Sequence, residues 1–198
     1  MITIRPLTIM AERQTPVDPY NPLGLPPNTV RVRTSDGNAP RSSYYETATL
    51  VPGTTDVYDV YKSGTSFANL LYVSENLVEV LGANTTGITN MNDMFFQCPS
   101  LTSVPLFDTS SVTSMQEMFT FCSSLTNIPL FNTANVNSMF GTFYDCRNVQ
   151  SGALALYQQA SSQTNPPRNH EATFYNCGRN TTTGAAELAL IPEDWKEE

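Results

Sequence analysis

Several things are scarce in this 198-residue sequence, and each scarcity narrows what the chain can be. There is one histidine, His170, beside the Pro166-Pro167 pair, and one tryptophan, Trp195. A single histidine in loop sequence reads as a surface residue. The usual zinc constellations need a second one, and no other residue marks a nucleophilic triad around it. No G-x-x-x-x-G-K-(S/T) or G-x-G-x-x-G run cradles a phosphate. No run of about 18 apolar residues exists to span a bilayer. The start, MITIRPLTIMAERQ, lacks the apolar core and small-residue cleavage site of a secretory signal. These gaps lead us to expect no catalytic residue, no metal, no cofactor and no membrane span.

Charge is scarce too, at 14% of residues, with 10 Lys+Arg against 18 Asp+Glu and a net charge of −8. An acidic surface repels phosphate backbones, so nucleic acid is not an expected partner. The charge is also uneven. Residues 1–66 carry six bases and six acids, whereas residues 67–150 carry only Arg147 against six acids, a net of −5. That shift suggests a boundary near residue 66.

What is present is a 24-residue period. It relates Met91, Met115 and Met139, then Phe95, Phe119 and Phe143, then Cys98, Cys122 and Cys146, then Leu101, Leu125 and Val149. SLTSVPLFDTSSV (100–112) is nearly repeated as SLTNIPLFNTANV (124–136). A weaker copy precedes these, with Phe67, Leu70, Leu71, Leu77 and Val80 in register. A late one returns as Phe174-Tyr-Asn-Cys177, 31 residues after the previous one, so about seven residues are inserted, and the stretch GALALYQQASSQ (152–163) there fits a short helix. Met91, Met94, Phe95 and Cys98 stand at i, i+3, i+4 and i+7, the pattern of one apolar helical face. Val104 and Leu106 then alternate with Ser103 and Pro105, the pattern of a strand that turns every second residue inward. The cysteines form a ladder, best read as buried free thiols, because parallel side chains disfavour disulfide closure. Asp93, Asp108, Glu117 and Asp145 read as scattered acids, with no calcium ladder among them.

The phrase M-x-x-M-F-x-x-C-x-x-L-x-x-(V/I)-P-L-F-(D/N)-T-x-x-V resembles the BspA-like leucine-rich repeats of bacterial surface proteins, including the Mycoplasma-type lipoprotein repeat. The resemblance covers roughly residues 67–150, with a remnant at 171–195. It implies a repeat used for adhesion or protein binding, and no catalysis. Residues 28–62 are also similar to segments preceding such repeats in proteins encoded by gut bacteria and their phages.

The expected fold class is therefore an α/β repeat: a short leucine-rich-repeat-like solenoid with a parallel sheet, preceded by a small β segment and an extended N-terminal arm. The expected divisions are a Pro-rich arm over 1–28, a β cap over 29–66, and the solenoid with its C-terminal cap over 67–198. Six of the fourteen prolines fall in the arm. Three strands are expected in the β cap, over Val30–Arg33, Thr47–Val51 and Asp56–Tyr61.

The expected function is non-enzymatic. The first reading is a phage virion component, a capsid or tail decoration or host-attachment protein, anchored to other virion proteins through its arm. The alternative is a secreted or cell-surface bacterial adhesin binding a host protein or glycan. Open solenoid ends and a free arm also permit assembly with further copies of the chain. The expected contact face is the outward side of the strands: Glu79 and Leu81, Ser103 and Pro105, Asn127 and Pro129.

Overall fold

The computed structural model describes residues 18–197. Most of the expected arm thus lies outside the described residues, whose first stretch, 18–28, runs through tight turns to the sheet. Asn21 closes one of these turns, its Oδ1 accepting from Leu25 N–H at 2.9 Å. Leu25 is buried, and Asn84 Nδ2 donates to its carbonyl at 2.8 Å, which ties the segment to the sheet.

Four strands form one antiparallel sheet: β1 (Thr29–Thr34), β2 (Thr47–Leu50), β3 (Val57–Tyr61) and β4 (Leu77–Asn84), in the order β2-β3-β1-β4. Alternation decides its faces. Val30 and Val32 of β1 sit opposite Val60 and Tyr58 of β3, and opposite Ala83 and Val80 of β4. Val30, Val32, Val60, Val80 and Ala83 are buried together with Leu77. On the other face Arg31 makes a forked pair with Asp59 at 2.7 and 2.8 Å, and Arg33 pairs with Glu79 at 2.8 Å. The three strands expected from alternation are present. The fourth comes from beyond residue 66, from the weak first copy of the 24-residue period.

The repeats do not form the expected solenoid of helix and parallel strand. Among the described residues there is no parallel sheet, and the only α-helices are two short ones, α1 (Ala153–Ser161) and α2 (Thr182–Leu188). Parallel pairing is confined to isolated bridges, such as Glu79 with Ser103, Asn90 with Ser114 and Asn127 with Ser151. The stretch from Met91 to Cys98, which has helical spacing, is a run of turns.

The backbone explains why. Two residues of each repeat are left-handed. One column is Asn69, Asp93, Glu117, Gly141 and Ala172; the other is Val73, Gln97, Phe121, Asp145 and Asn176; all have φ between +52° and +62°. A left-handed residue every fourth position ends a right-handed helix before it completes a turn. It also redirects the N–H groups. Those of Asp93, Phe95 and Gln97 donate to the carbonyls of Gln116, Met118 and Thr120 in the next repeat at 2.8–2.9 Å. Those of Glu117, Phe119 and Phe121 do the same to Phe140, Thr142 and Tyr144 at 2.8 Å. Intervening N–H groups close local turns, as Phe96 does on Asp93 at 3.1 Å. The strand expected around Val104 fails for a second reason. Pro105 and Pro129 bring no N–H to a ladder.

The expected inward alternation also breaks. Leu106 is 39% exposed and Phe107 is 1% exposed, so Phe107 belongs to the core and Leu106 does not. Leu130 and Phe131 repeat the exchange.

The core is a ladder of rings. Phe95, Phe119, Phe143 and Phe174 stack with centroids 5.1, 5.2 and 5.9 Å apart, and Phe107 and Phe131 form a second short stack beside them at 5.7 Å. Met91, Met115 and Met139 are fully buried with them. The cysteines are free and buried. Three of the four donate the thiol to a carbonyl of an earlier repeat: Cys98 to Leu71, Cys122 to Phe95 and Cys146 to Phe119, at 3.0–3.1 Å. Thr142 replaces a methionine in this core and spends its hydroxyl on the carbonyls of Met115 and Met139. The C-terminal tail covers the last ring, with Trp195 Cα-side carbonyl accepting from Phe174 N–H at 3.0 Å and its indole stacked on His170 at 4.4 Å.

Two substitutions test this packing. Phe119→Ala should cost about 3–5 kcal/mol, the usual loss for a fully buried Phe, read from urea unfolding. An unchanged midpoint would show that the ring ladder is not the core. Gly152 has φ +100° and stands so close to the carbonyl of Ile128 that an added Cβ would lie 2.1 Å from that oxygen. Gly152→Ala should therefore destabilise by more than about 1 kcal/mol. A neutral result would show that the backbone does not pass so near.

Candidate functional site

The turns that carry the left-handed residues also place a row of aromatic side chains on the surface. Tyr44, Tyr72, Phe96, Phe121, Tyr144 and Tyr175 follow one another with centroids 5.8, 4.9, 6.0, 5.5 and 4.6 Å apart. Four of them stand at equivalent positions: Tyr72, Phe96, Tyr144 and Tyr175. The fifth equivalent, between Phe96 and Tyr144, is Thr120, which is buried and donates its hydroxyl to the carbonyl of Gly141 at 2.6 Å. The next residue, Phe121, turns its ring roughly perpendicular to both flanking rings, at 88° and 73°. It does so from a left-handed backbone and remains 37% exposed.

The missing ring leaves a cavity of about 380 Å³. Its walls are the rings of Phe96, Phe121, Phe140 and Tyr144, and small residues, Thr120, Gly141 and Ala172, leave it open. Glu117 is its one carboxylate. Glu117 stands one repeat from Asp93 and shares a hydrogen bond with it. The acids expected to be scattered thus include one pair in register, 24 residues apart. That spacing was open to view in the sequence. Burial, then the charge of Glu117 and the shared hydrogen bond, push the Asp93 carboxyl up to about 6.

The thiols are chemically quiet. Burial pushes Cys98 up to about 12 and holds Cys122, Cys146 and Cys177 above the ordinary thiol range. They remain protonated at neutral pH and are poor nucleophiles. Among the described residues, no three His, Cys, Asp or Glu side chains converge as a metal-ligand group. His170 is half-buried, with Nδ1 2.9 Å from the carbonyl of Pro167 and Nε2 3.3 Å from Asp194. Among the described residues no helix is long and apolar enough to cross a membrane.

Of the six residues expected on the outward strand face, Glu79 and Leu81 lie on β4, and Ser103, Pro105, Asn127 and Pro129 lie outside any strand. Glu79 bridges Ser103, whose hydroxyl lies 3.5 Å from its carboxylate, and it is also paired with Arg33. Asn127 bridges Ser151 and accepts its hydroxyl at 2.8 Å. Leu81, Pro105 and Pro129 are half-buried. The aromatic row was missed because Tyr72, Phe96, Tyr144 and Tyr175 were not followed as a column, though their spacing of 24, 48 and 31 residues reveals it.

The aromatic row thus follows the repeated turns from Tyr44 to Tyr175. The chain belongs to the family described as Mycoplasma protein of unknown function, DUF285, which matches residues 58–182. No curated protein and no solved structure matches the chain.

The carboxyl pair gives a pH prediction. A carboxyl whose pKa is raised by folding stabilises the fold while protonated, below about 3.8, and that contribution is lost as pH rises through about 6. Asp93→Asn should therefore raise the melting temperature more at about pH 8 than at about pH 4. Equal shifts at the two pH values would show that Asp93 and Glu117 do not repel each other in the fold.

Proposed function

We propose that this chain is a non-enzymatic binding protein that meets its partner through the aromatic row and is held in a larger assembly by residues 1–28. The observation that supports the contact face is the unbroken run of surface rings from Tyr44 to Tyr175. Tyr44 and Phe121 are exposed and the other four rings half-buried, and a contiguous aromatic surface of this kind suits a partner because Tyr and Phe give large contact area at small entropic cost. Phe121 adds to this, since a Phe is costly both in left-handed backbone and in water. The outward set from Glu79 to Pro129 is less suited, because Glu79, Ser103 and Asn127 already bond within the chain.

The assembly we infer is a phage virion, in which the chain decorates the capsid or tail and contacts a host surface protein or glycan. This reading takes up the likeness of residues 28–62 to segments in proteins encoded by gut bacteria and their phages, a likeness that the second reading shares. The family match favours a second reading, a bacterial surface or secreted adhesin, because its description names a cellular organism.

Two measurements separate the readings. The chain should be found in purified particles, and removing residues 1–17 should leave a folded chain that no longer joins them. Recovery from the cell surface or medium, with none in particles, would favour the adhesin. In either setting, the pair Phe121→Ser and Tyr175→Ser should lower attachment about tenfold or more, as loss of two anchoring rings does. Unchanged attachment would remove the aromatic row as the contact face.

A further inference from the structure

The cavity at the Thr120 gap has a chemistry of its own. Four aromatic residues, Phe96, Phe121, Phe140 and Tyr144, line this open cavity, and the only charged side chain in its wall is Glu117. Ring faces attract cations through their quadrupole, and the attraction grows when the cation is desolvated. A carboxylate beside the rings adds to it. The surroundings have the same sign: residues 67–150 carry a net charge of −5. An anion would meet Glu117, and Asp93 behind it. The Thr120 hydroxyl donates to Gly141, which leaves the Glu117 carboxylate as the strongest acceptor in the wall.

We propose that this cavity binds a quaternary ammonium group, seated among the four rings with Glu117 as its counter-charge. The inference rests on the aromatic row being the contact face, and it names the ligand chemistry of one place in that row. Gly141 and Ala172 matter here because larger side chains at those positions would fill the cavity. Thr120 matters for the same reason: its counterparts in other repeats are rings, and only here is the ring absent.

The test uses the whole chain with choline and with 3,3-dimethylbutan-1-ol, which has the same shape and no charge, in titration calorimetry or NMR. Choline should bind saturably, and the neutral analogue at least about tenfold more weakly, the factor that a cation–π contribution of this kind supplies. Phosphocholine as a further arm separates a free ammonium from one carried beside a phosphate. Tighter binding of choline than of phosphocholine is expected, because Glu117 stands close. Equal binding of the two would mean that the phosphate lies clear of the wall, with the ammonium still seated. Glu117→Gln should weaken choline several-fold and leave the neutral analogue unchanged. Thr120→Tyr, which restores the aromatic column, should abolish binding. Should that variant fold poorly, Gly141→Ala is read in its place, with the melting temperature as control.

Equal binding of choline and the neutral analogue would overturn the proposal and leave an apolar slot. So would the absence of saturable choline binding. Either result leaves the contact-face reading standing if Phe121→Ser with Tyr175→Ser still lowers attachment. If attachment is unaffected as well, both readings fall.

Discussion

The structure depends on where the backbone N–H groups of each repeat go. A helix would satisfy them within the repeat, and a strand would send them all sideways. Here a left-handed residue at every fourth position divides them: alternate groups reach the next repeat and the rest close turns. A left-handed conformation costs a non-glycine residue roughly 1–2 kcal/mol. The cross-repeat hydrogen bonds and the buried ring stack must offset that at Asp93, Gln97, Glu117 and Phe121. Once the bonds run between repeats, equivalent side chains are brought within ring-stacking distance. The buried column of Phe and the surface column of Tyr and Phe both follow from this one arrangement.

The period and its register were legible in the sequence, down to the seven-residue insertion that α1 occupies. So were the buried free cysteines and the alternation of β1 and β3. The conformation within a repeat was not legible. Met91, Met94, Phe95 and Cys98 have the spacing of a helical face, and a run of turns with two left-handed residues buries the same four positions. Asn69, Asp93, Gly141, Asp145 and Asn176 in these columns tolerate the left-handed region, but Gln97, Glu117 and Phe121 stand there too and give no sign of it. Leu106, expected to face inward, is exposed for a related reason. Alternation was assumed across Pro105, where no strand exists.

The candidate site was also hidden by reading the period only for its core. Following the outward positions in the same way yields Tyr72, Phe96, Thr120, Tyr144 and Tyr175. The informative residue in that list is the odd one. A stack of equivalent rings is a packing solution, whereas a gap in it, roofed by an exposed Phe121 and walled by Glu117, is a place for something else. The repeat thus supplies the scaffold, and the departure from the repeat supplies the cavity in which we propose that a ligand sits.

The central claim is that left-handed turns, and not helices, carry the repeats. NMR tests it most directly through the intraresidue HN–Hα contacts and the Cα shifts of Asp93, Gln97, Glu117 and Phe121. The account predicts positive φ at all four, with helical shifts absent over residues 91–98. A continuous run of helical shifts from Met91 to Cys98 would contradict it.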